Sequence, residues 1–218
     1  MTSLRGFVHT DDGDSLDEVV RVGPKLVGSE APRLILVVVW DGGGWNTLER
    51  WPGSWPNLEH LMDTGISFTN ATVGSSPSVT PSVHTTLGTG VFPWTHGITG
   101  IPVRDGNGEV VDAFLDGRSG RLMNAVALAE RWDEHNRNRA LVGMLGYEPW
   151  HLGMIGVGAE APAGDKDDAL WLDRETNDWI TDRRHYNLPQ SVPDTPGLTE
   201  DVRRVDSLDG ATDRAWGR

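Results

Sequence analysis

The apolar residues of this chain cluster in short runs that predict an α/β fold. Residues 34–40 are continuously apolar and rich in β-branched side chains, which is typical of a strand covered on both faces of a parallel sheet. Residues 140–145 predict a second parallel strand for the same reason. Residues 66–73 alternate between apolar and polar side chains and predict a further strand. Residues 105–108, Asp-Gly-Asn-Gly, predict the turn of a β-hairpin.

Three segments have features expected of helices. Residues 56–65 begin at Pro56 and end at Gly65, which are favoured residues at the start of a helix and just past its end. Residues 120–135 have an apolar stripe that would pack on the sheet. A third helix is expected around residues 168–182, anchored by two tryptophan-containing apolar pairs.

The dipeptide Thr80–Pro81 is a strong local signal for the start of another helix. Threonine is favoured at the N-cap and proline at the first helical position. The N-terminus of a helix offers free N–H groups and the positive end of the dipole, so phosphate or sulfate would bind there. From the local sequence, the Thr80 hydroxyl is either an ordinary cap or a nucleophile.

Asp41 follows the apolar run directly and precedes three glycines, Gly42–Gly44. In open α/β sheets, ligands bind beyond the carboxyl ends of the strands. The residue is therefore a candidate metal ligand, although an aspartate at this point could equally cap the following turn.

The organisation of the chain changes along its length. Residues 1–31 form a polar, poorly determined leader, and residues 32–158 form the N-terminal part of an α/β domain. Residues 159–218 are rich in acids, arginines, prolines and glycines, so they are interpreted as an acidic excursion or insertion that is cut short.

Composition narrows the classes of function and partner. The 218 residues carry a formal net charge of −13, which argues against binding of a nucleic-acid backbone or an anionic membrane surface. A phosphorylated substrate stays compatible, because bound cations reverse the local field. The chain has no cysteine, which excludes thiolate ligands and a cysteine nucleophile. No signal peptide or long apolar run is visible, so a soluble, cytoplasmic protein is expected.

Several motifs together resemble the alkaline phosphatase superfamily, in particular its type I phosphodiesterase/nucleotide pyrophosphatase branch. The resemblance depends on the order and spacing of these motifs. It is close over residues 33–100 and looser up to residue 158. The matching segments are the strand ending in Asp41, Pro56-Asn-Leu-Glu-His-Leu with Gly65 and Phe68, Thr80-Pro-Ser-Val-His-Thr-Thr-Leu-Gly-Thr-Gly90, and Phe92-Pro-Trp-Thr-His-Gly-Ile98.

The resemblance implies a sandwich with a mostly parallel central sheet and helices on both faces, of which this chain would hold the N-terminal half. It implies hydrolysis of phosphomonoesters or phosphodiesters with two divalent metal ions, usually zinc. Asp41 matches a metal ligand. Thr80 matches the nucleophile, which also contacts a metal and forms a phospho-threonine intermediate. The expected partner is a small phosphorylated substrate, and His84 and His96 are expected to be framework residues.

Sulfatases share this superfamily fold, and Pro149-Trp-His-Leu-Gly is similar to one of their segments. His151 is therefore a candidate contact to the phosphate. A sulfatase itself is not expected, because those enzymes convert cysteine or serine to formylglycine at the position of Thr80.

The sequence also departs from the family pattern. The family's later Asp and His ligands are not found after Gly100, and one metal ligand plus the nucleophile cannot hold two zinc ions. The segment from Asp182 to His185 has suitable atoms but lies in a charged, proline-flanked stretch. Ile101 stands where nucleotide pyrophosphatases have an asparagine. The resemblance thus implies a longer protein, of which this chain is a fragment or truncated product.

Two alternative functions are weighed against a hydrolase. The first is a non-catalytic remnant of the same fold that at most binds anions at the start of the Thr80 helix. The second is a generic nucleotide-binding domain, suggested by the glycine-rich residues 153–158. That segment lacks the order of the G-x-G-x-x-G motif and is not followed by a clear helix.

Overall fold

The computed structural model describes residues 33–209, apart from 69, 74–77, 115–119, 121, 147–148, 150–151, 153–164, 174–175 and 177. The chain divides into two compact units, Met1–Pro52 and Gly53–Arg218. The predicted leader, 1–31, lies outside the described residues, and the predicted boundary at 158/159 stays a prediction. No helix in the described part is long and apolar enough to cross a membrane.

The described part of the first unit contains helix α1, Trp45–Arg50. Residues 34–40, predicted as a buried strand, pair with no strand among the described residues. Leu34 is 78% exposed and Val38 is 80% exposed. The prediction of a buried strand is therefore wrong for this structure. A strand needs neighbouring strands for its backbone hydrogen bonds, and an apolar run alone does not provide them.

The second unit contains five helices and five strands among its described residues. The helices are α2 (Pro56–Thr64), α3 (Thr80–Thr89), α4 (Pro93–His96), α5 (Leu128–His135) and α6 (Leu198–Asp206), followed by a 3₁₀ turn at Ser207–Asp209. The strands are β1 (Pro102–Arg104), β2 (Val110–Asp112), β3 (Gly143–Gly146), β4 (Asp168–Leu172) and β5 (Trp179–Ile180).

Predictions that depended on local signals are confirmed. Helix α2 begins at Pro56 and its C-cap is Gly65. Strands β1 and β2 form the predicted antiparallel hairpin. In its turn, the Asp105 carboxylate accepts the backbone N–H groups of Asn107 at 2.9 Å and Glu109 at 3.0 Å. These side-chain bonds stabilise the turn, which joins two strands of only three residues each.

Two predicted elements differ from the structure in extent or existence. Helix α5 starts at Leu128, well after the predicted start at residue 120, because Ala127 has an extended backbone with φ −76° and ψ 160°. The predicted strand at 66–73 is not seen among its described residues. Ile66 and Phe68, which would face a core, are 62% and 65% exposed.

The predicted helix at 168–182 is wrong, because this segment forms two strands. Strand β4 pairs in parallel with β3 and antiparallel with β5, giving the order β3-β4-β5. Trp171 lies opposite Ile180, and Leu172 lies opposite Trp179. The two apolar pairs that suggested one helix face are thus cross-strand neighbours. The predicted strand at 140–145 is present as the shorter β3, Gly143–Gly146, which is parallel to β4 as predicted for this segment.

The described residues form a mixed α/β structure with two small sheets and two apolar clusters. One cluster surrounds Ile98, Ala113 and Phe114 beside the hairpin. The other packs Leu152, Ala169, Trp171 and Tyr186 against the three-stranded sheet. A mostly parallel central sheet is not seen in this part of the chain, since the described pairings are of both kinds.

Two glycines allow the chain to turn before and after helix α4. Gly90 has φ +71° and Gly97 has φ +82°, a left-handed region that disfavours other residues. A Cβ atom at Gly97 would lie 2.6 Å from Nδ2 of Asn124, whereas a Cβ at Gly90 would meet nothing within 4 Å. Asn124 also donates its backbone N–H to the carbonyl of His96 at 3.0 Å.

We predict that Gly90→Ala lowers the free energy of unfolding by about 1 kcal/mol, the cost of a left-handed alanine. Gly97→Ala should cost more, because the Asn124 amide must also move. Urea unfolding measures both values. Gly106→Ala, at a glycine with open space and no left-handed φ, is the control. A smaller loss at Gly97 than at Gly90 would contradict the packing described.

Candidate functional site

Thr80 is the first residue of helix α3. The helix begins one position earlier than predicted: Val79 is the N-cap, with φ −120° and ψ 150°, and Pro81 is the second helical residue. Thr80 is half-buried. Its hydroxyl therefore lies at the end of a ten-residue helix where the dipole is positive.

Helix α3 buries a polar face, which is unusual for a surface helix. Ser82 and Thr85 have no exposed surface, and His84 is 4% exposed. Thr86 donates to the carbonyl of Ser82 at 2.8 Å, and Thr89 donates to that of Thr85 at 2.6 Å. These bonds satisfy the partly buried hydroxyls of Thr86 and Thr89, whereas the buried hydroxyl oxygens of Ser82 and Thr85 have no hydrogen-bond partner.

The imidazole of His96 links α4 to α3. Its Nδ1 accepts the backbone N–H of Ile98 at 3.0 Å, so the proton of the neutral ring lies on Nε2. Nε2 is 3.1 Å from the Thr86 hydroxyl. Burial lowers the pKa of His96, and a hydrogen bond to the Ser82 backbone opposes this only in part. His96 is a framework residue, as expected, because both ring nitrogens are engaged.

The lowered pKa of His96 predicts a pH-dependent stability. The unfolded chain takes up a proton at the ordinary pKa near 6.5, before the folded protein does. The contribution of His96 is therefore present above about pH 6.5. It is lost as the pH falls from there towards the lowered folded pKa.

In His96→Asn, whose side-chain oxygen replaces Nδ1 as an acceptor, this part of the pH dependence should disappear. Urea unfolding between pH 5 and pH 8 measures it. His60→Asn, on exposed α2 surface, is the matched control and should keep the His96 contribution. An unchanged pH profile in His96→Asn would contradict the neutral-ring assignment.

The predicted site residues Asp41, Thr80 and His151 do not all belong to the described part of one unit. Asp41 belongs to the unit Met1–Pro52, and Thr80 to the unit Gly53–Arg218. Asp41 is exposed and lies in the turn that follows residues 34–40. His151 lies outside the described residues. The proposed roles of all three stay predictions.

The segment from Asp182 to His185 is shaped by an ion pair. Arg184 Nη2 lies 2.7 Å from Oδ2 of Asp182, and the Arg184 backbone N–H donates to Oδ1 at 3.0 Å. The side-chain bond from Arg184 is the main reason why the pKa of Asp182 falls to about 2. This carboxylate therefore stabilises the local turn.

A cluster of three aspartates was missed by the sequence analysis. Asp133 on α5, and Asp165 and Asp167 just before β4, each have a carboxylate oxygen within 4.8 Å of the others. Asp133 is 4% exposed and Asp167 is 5% exposed. No local spacing could reveal the cluster, because α5 and the segment before β4 are far apart in the chain.

Burial and like charge perturb these aspartates. Burial is the main cause that raises the pKa of Asp167 to about 7, followed by the charges of Asp133 and Asp165. Burial also raises the pKa of Asp133, with further contributions from Asp165, while a backbone hydrogen bond from Ala140 opposes the shift. The cluster thus holds more negative charge than its surroundings compensate.

Comparison with protein families identifies the chain. The model of the family described as type I phosphodiesterase / nucleotide pyrophosphatase matches residues 35–151, more than half of the 218 residues. The chain belongs to this family. Searches of curated proteins and of solved structures gave no match. The match to the type I phosphodiesterases includes Asp41, Thr80 and Asp133, and it ends before Asp165 and Asp167.

The metal ions that this phosphodiesterase family uses do not fit the described residues at the expected position. Among these residues, the three aspartates are the one group of three or more potential ligands close enough to hold an ion. That group includes neither Asp41 nor Thr80. A zinc site normally needs three protein ligands, so the described part of the chain does not complete a catalytic zinc site around either residue.

Proposed function

We propose that this chain acts in the hydrolysis of phosphoric esters, with a small phosphodiester or phosphomonoester as substrate. The family match over residues 35–151 is the observation that supports the proposal most strongly. The family's shared reaction is cleavage of a phosphorus–oxygen bond. The net charge of −13 is consistent with a small substrate and disfavours a polyanion.

Thr80 is the proposed nucleophile. Its hydroxyl oxygen would form a bond to phosphorus while the bond from phosphorus to the leaving alcohol breaks. The leaving oxygen takes up a proton and departs as the alcohol. Water then cleaves the phospho-threonine and restores the hydroxyl. The position of Thr80 at the first residue of α3 supports this role, since the helix dipole stabilises the anionic phosphoryl group.

Asp41 is the proposed metal ligand. The support comes from the family resemblance and from its position in the turn after residues 34–40. We also propose the family's sandwich fold with a mostly parallel central sheet. His151 remains a proposed contact to the phosphoryl oxygens.

A second function is favoured by the incomplete ligand set. The chain could be a non-catalytic form of the same fold that binds anions at the start of α3. The supporting observation is that the described residues hold no three-ligand group around Asp41 or Thr80. The two functions differ in whether turnover accompanies binding.

We predict that Thr80→Ala abolishes hydrolysis of an aryl phosphodiester, with a loss of at least about a thousandfold. Thr80→Ser should retain part of the activity, because it keeps a hydroxyl. Release of the aryl alcohol, followed with added Zn²⁺ on the full chain, measures the rates. Thr95→Ala, at an exposed threonine of α4, is the control. Activity in Thr80→Ala equal to that of the wild type would contradict the assignment, and no activity in the wild type would favour the non-catalytic function.

A further inference from the structure

Two buried carboxylate oxygens in the second unit have no hydrogen-bond partner. They are Oδ1 of Asp133 and Oδ2 of Asp167, and both are inaccessible to solvent. The side chains themselves are more than nine-tenths buried. A buried carboxylate whose charge is not compensated costs several kcal/mol. Two such carboxylates near one another require a compensating positive charge or a proton.

The described side chains do not supply that positive charge. Lys166, which lies between two of the aspartates in sequence, donates its ammonium group to the carbonyl of Arg183 at 2.6 Å. Arg131, on the same helix as Asp133, forms an ion pair with Glu134 at 2.9 Å. No salt bridge between described residues reaches the three clustered aspartates.

The third carboxylate provides access from solvent. Asp165 is exposed, and its carboxylate has an oxygen within 4.8 Å of oxygens on both buried aspartates. An ion could therefore reach the buried pair through Asp165 and keep water molecules on its outer side. Three carboxylates this close together, two of them buried and each with an orphaned oxygen, provide the oxygen ligands of a cation site.

We propose that Asp133, Asp165 and Asp167 together bind one divalent cation, with Ca²⁺ preferred over Mg²⁺ and Zn²⁺. All three ligands are oxygens, which hard cations prefer, and no histidine belongs to the group. Ca²⁺ accepts several carboxylate ligands in a flexible geometry, whereas Mg²⁺ usually keeps several water molecules and takes one or two carboxylates. Three carboxylates on one ion therefore favour Ca²⁺ over Mg²⁺.

The proposed cation would connect two parts of the second unit. Asp133 belongs to α5, whereas Asp165 and Asp167 precede β4, the central strand of the three-stranded sheet. Binding would hold the helix against the start of that strand. The role is structural and independent of the proposed hydrolysis, because the site contains neither Asp41 nor Thr80.

Calcium binding to the full chain, freed of metals by a chelating resin, tests the proposal. Isothermal titration with CaCl₂ should show saturable binding of one ion, tighter than the binding of Mg²⁺ or Zn²⁺. The melting temperature should rise with Ca²⁺ and fall back on addition of a chelator. Absence of saturable Ca²⁺ binding would overturn the proposal.

Two variants make the assignment specific. Asp165→Asn removes an exposed ligand and should weaken Ca²⁺ binding by about tenfold or more without affecting folding. Asp167→Asn should abolish binding, yet in the absence of Ca²⁺ it should be as stable as the wild type or more stable, because a buried charge is removed. Asp63→Asn, on exposed α2 surface, is the matched control. Ca²⁺ affinity unchanged in both cluster variants would overturn the proposal.

Discussion

The hydrogen bonds of the neutral His96 ring are the interaction on which the segment carrying Thr80 depends. Helix α3 begins at Thr80 and buries serine, threonine and histidine side chains where most helices bury apolar ones. Such a face is costly to bury unless its polar atoms find partners, and the hydroxyl oxygens of Ser82 and Thr85 have none. The imidazole receives the Ile98 N–H on one side and reaches Thr86 on the other. It therefore connects the two helices.

The three aspartates differ from the His96 ring in how their buried polar atoms are satisfied. Both ring nitrogens of His96 are engaged within the protein. At Asp133 and Asp167, buried oxygens are left without protein partners and lie beside another carboxylate. A proton or a cation must compensate there, because like charges at this distance repel strongly when they are shielded from water. A cation explains both the orphaned oxygens and the exposed third ligand.

Local sequence signals predicted the parts of the fold that depend on neighbouring residues. Pro56 and Gly65 bound a helix, Thr80–Pro81 starts one, and Asp105–Gly108 turns a hairpin, because caps and turns are formed within a few residues. The segment 168–182 was predicted wrongly. Whether its apolar pairs form a helix face or cross-strand pairs depends on β3, which is distant in the chain.

The difference between local and long-range contacts also explains how much of the site could be predicted. The motif spacing pointed to the family, and the family match agrees. It also pointed to Thr80, whose role as nucleophile stays a prediction. It could not reveal the aspartate cluster, because Asp133 meets Asp165 and Asp167 only after the chain folds. Nor could it establish residues 34–40 as a buried strand, since burial depends on strands that lie beside it. Apolar composition alone predicts that a segment favours a buried strand, and it does not predict which strands would lie beside that segment.

The central claim is that Thr80 is the nucleophile of a phosphoester hydrolase. Its most direct test is acid quenching of the full chain during turnover of an aryl phosphodiester with Zn²⁺, followed by peptide mass spectrometry. The account predicts a phosphorylated adduct on the peptide that contains Thr80, and no such adduct in Thr80→Ala. Turnover with the adduct on another residue, or with no covalent adduct under any quench condition, would contradict it.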